Sequence, residues 1–150
     1  KNGGSLNDTS LGKWVGQIQA SEDGINCYGA DAKPFVIEFT SVNEESGRVM
    51  ANLNVLLHAH DLHTGTQDSD PNDVYQEKKD ATMSLKQGQI DFAYSTKPFG
   101  NNVEVKESFT VILPTSDNPK MTVYEKQVVH GVPYNTSERT WYSTFVMTKE

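Results

Sequence analysis

The chain has a single cysteine, no long hydrophobic run and no excess of basic residues. Cys27 is the only cysteine in 150 residues, which excludes an intrachain disulfide, and we expect it to be a small, semi-buried side chain. No apolar stretch approaches the about 20 residues that a membrane-spanning helix needs. The 13 Lys and Arg residues are outnumbered by 20 Asp and Glu, giving a net charge of -7. Because phosphate binding needs clustered basic side chains, this balance argues against a nucleic-acid partner and indicates a soluble, acidic domain.

Helical periodicity is also missing, and alternation of polar and apolar residues takes its place. Phe35, Ile37 and Phe39 share one face of such a segment, which is typical of a half-buried strand. The pair Gln87-Gly88 separates two alternating segments and predicts a tight hairpin. About eight segments of this kind, joined mostly by short turns, predict an all-β, antiparallel up-and-down meander that closes into a barrel. A two-sheet β-sandwich is the alternative.

The composition divides the chain into a short tether and one domain. Residues 1–10 begin with Lys1-Asn2-Gly3-Gly4-Ser5 and are predicted to be a flexible N-terminal tether, and residues 11–150 a single β-domain. The start at Lys1 is typical of a secreted protein or lipoprotein that has lost its leader, or of a fragment of a larger chain. We therefore expect a secreted or cell-envelope location. Residues 61–80 are polar and acidic and are predicted to be the longest irregular loop.

The first predicted strand carries a short motif. Gly12-Lys13-Trp14 resembles the opening signature of the calycin barrels, which include lipocalins, avidins and fatty-acid-binding proteins. The longer run Gly12-Lys13-Trp14-Val15-Gly16 also looks like the start of nitrobindin-type barrels. The resemblance implies a lipocalin-like barrel with an interior pocket for a small, mostly apolar ligand. It further implies that Trp14 closes the barrel floor and that Arg139 packs over its ring through a cation–π contact.

Large apolar side chains on the predicted strands are the candidates for lining such a pocket, because ligand pockets are chiefly apolar. The predicted lining residues are Trp14, Ile18, Phe35, Ile37, Phe39, Phe92, Tyr94, Phe109, Tyr124, Trp141 and Phe145. The function that these residues favour is non-enzymatic binding of a small molecule, with no catalytic residue assigned.

A histidine cluster supports a second hypothesis. His58 and His60 are two residues apart on a predicted strand, so they point to the same face about 6.7 Å apart, and His63 follows in the next turn. Imidazole ligands at this spacing are compatible with one metal ion, zinc being the first expectation. The cluster would then serve a metal-dependent enzyme. A third hypothesis is a protein- or glycan-binding sandwich that acts through the loop at residues 61–80.

Overall fold

The chain folds as one antiparallel sheet that closes on itself. The computed structural model describes residues 11–21, 34–57, 74–131 and 135–150, without the side chains of residues 17–21, 131, 135–139 and 141. Regular structure within these ranges is entirely β. The strands are β1 (Gly12–Ser21), β2 (Phe35–Asn43), β3 (Arg48–Leu57), β4 (Val74–Lys86), β5 (Gln89–Thr96), β6 (Val103–Ile112), β7 (Met121–Gly131) and β8 (Asn135–Lys149).

Every strand pairs with its neighbours in sequence, and β1 also pairs with β8. The predicted all-β, up-and-down barrel of eight strands is therefore confirmed, and the sandwich alternative is wrong. Closure leaves neither β1 nor β8 as an exposed sheet edge, which is the physical advantage of a barrel over an open sheet. Among the described residues, no helix has the length and apolar character needed to cross a membrane.

The barrel has two unlike ends. At one, which we call the turn end, the connections are residues 44–47, 87–88 and 113–120. The other end, which we call the loop end, has the connection at residues 97–102 and the strand ends at Ser21, Phe35, Leu57 and Val74. Trp14 is buried near the turn end, where it pairs with Ile37 and Lys149. The predicted role of Trp14 in closing the barrel floor stays a prediction.

Three phenylalanine rings meet across the barrel interior. Phe35 of β2 stacks on Phe109 of β6 and on Phe145 of β8, with ring centroids 5.1 and 5.2 Å apart. Because β2 and β6 lie on opposite sides of an eight-stranded barrel, these contacts fill the interior at this level. Aromatic pairs of this kind contribute about 0.5–1.5 kcal/mol each beyond the burial of their surface. We call these three residues the phenylalanine layer.

The position of Arg139 does not agree with its predicted role. Trp14 pairs with Lys149 at one end of β8, whereas Arg139 pairs with Val129 near the other end. At a rise of about 3.3 Å per residue, the two positions on β8 are roughly 30 Å apart. The backbone register therefore does not support the predicted packing of Arg139 over Trp14, and the basic residue in register with Trp14 is Lys149.

The first half of β4 lies where the sequence predicts an irregular loop. Residues 74–80 belong to the strand, so the predicted loop at 61–80 is wrong for this part, and residues 61–73 lie outside the described residues. The alternation is hidden here because the positions on the inward face are polar. Gln76 pairs with buried Val55, and Lys78 pairs with buried Leu53. Directly opposite residues share a face of the sheet, so Gln76 and Lys78 face the interior.

A β-bulge interrupts the same strand and breaks its period. Ala51 pairs with Ala81 but Leu53 pairs with Lys78, so Lys79 and Asp80 together oppose one residue of β3. Asp80 has a φ of 55°. Its backbone N–H donates to Asn52 Oδ1 at 2.9 Å, which stabilises this left-handed conformation. A bulge of this kind bends its strand and increases the local twist.

The Gln87-Gly88 turn confirms the predicted hairpin between β4 and β5. Lys86 pairs with Gln89, and the two residues between them have φ values of 54° and 75°. Two consecutive left-handed residues define a type I′ turn, for which Asn-Gly is the preferred sequence. Gln87 is therefore strained by comparison with asparagine at the same position.

We expect Gln87→Asn to raise the free energy of unfolding by about 0.5 kcal/mol, because asparagine tolerates the left-handed region better than glutamine. Urea denaturation followed by circular dichroism measures this change. The matched control is Gln89→Asn, the same chemical change on the extended strand β5, where asparagine gives no such gain. Equal effects of the two substitutions would contradict the turn geometry.

Candidate functional site in the barrel interior

Two neighbouring strands place polar side chains inside the barrel. Glu107 of β6 and Glu125 and Gln127 of β7 are at most 3% exposed. Glu107 pairs directly with Gln127 on one side and with Tyr94 of β5 on the other, so these three side chains share one inward row. Glu125 lies two residues from Gln127 on the same face. We call Tyr94, Glu107, Glu125 and Gln127 the interior polar cluster.

Gln127 is the main hydrogen-bond donor of this cluster. Its Nε2 donates to the backbone carbonyl of Leu56 on β3, across the barrel, at 3.2 Å. The same nitrogen lies against Glu107 Oε2 in a short contact, and 3.4 Å from Glu125 Oε2. An amide NH₂ has two hydrogens, so it cannot fully satisfy three acceptors. The arrangement holds the two glutamates close together at the centre of the barrel.

Burial and charge together control the protonation of Glu107. Removal from water raises the pKa of Glu107 well above its usual range. The negative charge of Glu125 and a hydrogen bond between the two carboxyl groups raise this pKa further, while the bond from Gln127 lowers it. A carboxyl–carboxyl hydrogen bond needs a proton on one partner, and this pKa favours the neutral form of Glu107.

Tyr94 connects the cluster to β4. Burial raises the pKa of its phenol, and the negative charges of Glu107 and Glu125 raise it further, so Tyr94 stays a neutral hydrogen-bond donor. Its hydroxyl lies 3.5 Å from Gln76 Oε1, a contact at the limit of hydrogen bonding. The ammonium of Lys78 sits over its ring, 4.8 Å from the centroid, in a cation–π contact.

The ladder between β4 and β5 is short. It joins Ser84 to Asp91, Leu85 to Ile90 and Lys86 to Gln89, all next to the Gln87-Gly88 turn. In the described ladder, residues 74–83 of β4 and 92–96 of β5 have no pairing with each other. The bulge in β4 lies within the unpaired part. We call this opening the β4–β5 gap.

Side chains, instead of backbone bonds, cross the β4–β5 gap. Gln76 Nε2 donates to Thr96 Oγ1 at 3.1 Å, and the Tyr94 hydroxyl approaches the same glutamine side chain. Gln76, Lys78, Tyr94 and Thr96 therefore form a bridge made of hydrogen bonds and one cation–π contact. A few side-chain contacts hold two strands together less firmly than a full backbone ladder, because each bond contributes only about 1 kcal/mol and a ladder has many of them.

Inward-facing side chains beside the β4–β5 gap are less buried than their partners deeper in the barrel. Phe92 and Tyr94 are half-buried, although they pair with Phe109 and Glu107, which are buried. Thr96 is likewise half-buried opposite buried Val105. The inward face of β5 is therefore reached by solvent, and the gap is the structural cause.

Most of the predicted lining residues whose side chains are described lie on the inward face. Phe92 and Tyr94 lie beside the gap. The buried ones are Trp14, Phe35, Ile37, Phe39, Phe109 and Phe145. The side chains of Ile18 and Trp141 lie outside the described residues, although the backbone register pairs Ile18 with Phe145 and Trp141 with Gln127.

Tyr124 is the exception, since its side chain is 51% exposed on the outer face of β7. The prediction that it lines the interior is wrong. Its neighbours Val123 and Glu125 face inward. The inward face of β7 also includes Gln127, and these two polar residues give that face the composition of a solvent-exposed one. The size and aromatic character of Tyr124 therefore suggest the wrong face of β7 as the inward one.

Sequence reasoning missed Glu107, Glu125 and Gln127 as interior residues. A signal for them exists in the alternation. Glu107 is in phase with Val105 and Phe109, and Glu125 and Gln127 are in phase with Val123 and Val129. A polar residue, or a pair of them two residues apart, that lies in the same frame between buried apolar residues must face the core of a regular strand.

His58, His60 and His63 lie outside the described residues, so the metal hypothesis stays a prediction. Among the described residues, no three His, Cys, Asp or Glu side chains are grouped so that they could hold a metal ion.

Comparison with known proteins assigns no family. No protein-family model, curated protein or solved structure matches this chain. The established class is therefore architectural: a closed, eight-stranded, antiparallel β-barrel with a polar cluster inside.

We expect the stability of the protein to fall as the pH rises through the folded-state pKa of Glu107. The pKa of Glu107 is raised above the value of about 4.3 for an unfolded glutamate, so the folded protein binds more protons than the unfolded chain. Glu107→Gln removes this titration. At about pH 8 the variant should be more stable than the wild type by about 1–3 kcal/mol, and the difference should shrink towards about pH 4.

Urea denaturation at a series of pH values measures both profiles. The control is Glu104→Gln on the same strand, at a position outside the inward frame, which should leave the wild-type profile unchanged. Parallel profiles for the wild type and Glu107→Gln would refute the assignment of a buried, protonated carboxyl group.

Proposed function

We propose that this barrel binds a small, mostly apolar ligand in its interior and performs no chemistry on it. The observation that carries the proposal is the partial exposure of inward-facing Phe92, Tyr94 and Thr96 beside the β4–β5 gap. Contact between water and these aromatic side chains is unfavourable. An apolar ligand that covers the side chains removes this contact, and the removal favours binding.

The geometry of the interior supports the same proposal. The phenylalanine layer gives an apolar base, and the interior polar cluster supplies a few hydrogen-bonding groups next to it. Ligand sites in proteins combine an apolar lining with a small number of fixed polar groups in this way. The ligand would lie between the phenylalanine layer and the loop end, against Phe92 and Tyr94.

We also propose that the chain is related to the calycin barrels. Its support is the motif Gly12-Lys13-Trp14, the burial of Trp14 near the turn end, and the closed eight-stranded meander. The absence of Arg139 from the floor is a departure from the pattern that this resemblance implies. A secreted or cell-envelope location is likewise a proposal.

The neutral apolar dye N-phenyl-1-naphthylamine tests the proposed binding, because its fluorescence rises on transfer from water to an apolar site. We expect saturable binding that a neutral long-chain alcohol displaces. Native mass spectrometry of the purified protein, compared with its denatured mass, reports any ligand that is already bound.

Thr96→Trp should weaken dye binding by about tenfold or more, because an indole at this inward position fills the space beside the gap. The matched control is Ser95→Trp, which adds the same ring to the exposed position next to it and should leave binding unchanged. Failure of the dye and the alcohol to bind the wild-type protein would overturn the proposed function.

A further inference from the structure

The amide of Gln127 is shared among several acceptors in the interior polar cluster, and buried Ser143 lies opposite Glu125. Gln127 offers two amide hydrogens to three acceptors: Leu56 O, Glu107 Oε2 and Glu125 Oε2. Glu107 is 1% exposed, and among the described residues its Oε1 has no hydrogen-bond partner. When Glu107 is neutral, its proton serves the contact with Glu125; when Glu107 is ionised, Oε1 is a buried acceptor that needs a donor from outside the chain.

The described groups around Glu107 do not supply that donor. Tyr94 faces it from β5, but its hydroxyl lies near Gln76 instead. Glu125 and Gln127 face it from β7, and one of them is a second carboxyl group. From β4, the ammonium of Lys78 lies over the ring of Tyr94. The surroundings of Glu107 therefore contain one further carboxyl group, that of Glu125, and the aromatic surface of Tyr94, whose outer contact is with Lys78.

This combination selects a cation with several hydrogen-bond donors. A primary ammonium group has three N–H donors and a full positive charge, so it can serve the Oε1 atom of Glu107 and a second carboxylate oxygen together. The Tyr94 ring already accepts the ammonium of Lys78 on its face, at 4.8 Å. Phe92, with its ring centroid 5.4 Å from that of Tyr94, extends the apolar surface beside it. A ligand with a carboxylate or phosphate head would instead be repelled by the glutamates.

Building on the proposed ligand-binding function, we propose that the barrel recognises an apolar molecule with a primary amine at one end. The ammonium lies between Glu107 and Glu125, and the apolar part lies against Phe92, Tyr94 and the phenylalanine layer. The amine binds in its protonated form and replaces the proton of Glu107, which becomes a carboxylate. One proton is released to solvent for each ammonium bound, so the charge balances.

The direction of the pH dependence follows from this exchange. Ammonium binding requires ionised Glu107, so affinity rises as the pH increases towards and through the raised pKa of this carboxyl group. An alkylamine keeps its proton up to about pH 10, as lysine does. Affinity for the amine should therefore increase from about pH 5 to pH 8, whereas affinity for a neutral ligand should not.

Three probes of equal chain length separate the contributions of the head group: octylamine, 1-octanol and octanoate. Displacement of N-phenyl-1-naphthylamine from the full-length protein gives the three affinities. At about pH 8 we expect octylamine to bind at least tenfold more tightly than 1-octanol, and octanoate to bind most weakly. Isothermal titration calorimetry in buffers of different ionisation enthalpy should detect proton release with octylamine.

Glu107→Gln should lower the affinity for octylamine by about tenfold or more and abolish the proton release, while 1-octanol binds as before. Glu104→Gln is the matched control and should change neither affinity, since it lies on the same strand in the other frame. If Glu107→Gln does not fold, as judged by circular dichroism, Glu125→Gln tests the second carboxyl group in the same way.

The possible outcomes distinguish this inference from the function on which it rests. Equal affinities for octylamine and 1-octanol, or tighter binding of octanoate, would overturn the amine inference and leave ligand binding intact. Failure of all three probes and of the dye would overturn both. Tighter binding of octylamine that Glu107→Gln and Glu125→Gln do not weaken would also overturn it, because the amine would then bind elsewhere.

Discussion

Closure of the sheet between β1 and β8 is the constraint on which the rest of the structure depends. A closed barrel has one interior, and each strand contributes every second residue to it. Glu107, Glu125 and Gln127 occupy such positions, so they are held in the interior and bond to one another and across to β3. In an open sheet the same face could move towards water. The buried carboxyl groups are therefore a consequence of closure combined with strict alternation.

The barrel is strong around most of its circumference and weak at one place. Ladders of at least five residue pairs join all the other neighbouring strands, whereas β4 and β5 pair at three positions, all beside their turn. The bulge at Lys79 and Asp80 and the polar inward face of β4 occur at the same place. The irregular, polar first half of β4 therefore accounts both for the short β4–β5 ladder and for the exposure of the interior beside it. The side chain of Gln76 spans this gap to Thr96.

Most of the fold follows from alternation and turn chemistry in the sequence, and the failures have physical reasons. Residues 35–40 and the Gln87-Gly88 hairpin carry regular local signals, and the structure agrees with them. The start of β4 was missed because Gln76 and Lys78 give its inward face the composition of a solvent face. The site was harder to predict. Alternation along one strand shows which face of the sheet a side chain lies on, but it does not show which residues of other strands that side chain contacts. Pairing of Glu107 with Gln127 and of Trp14 with Lys149 depends on register across strands, which alternation alone leaves open.

The β1–β8 ladder joins residues that are nearly the whole length of the chain apart, as in the pair of Trp14 and Lys149. Forming it requires closing a very large loop of chain, and topologies rich in such distant pairings fold slowly. The hairpins β6–β7 and β7–β8 have long, local ladders and are suited to form early. Until β1 arrives, β8 presents an unpaired edge to other chains. The same contact that completes the barrel therefore sets the time during which the nascent molecule is vulnerable to intermolecular association.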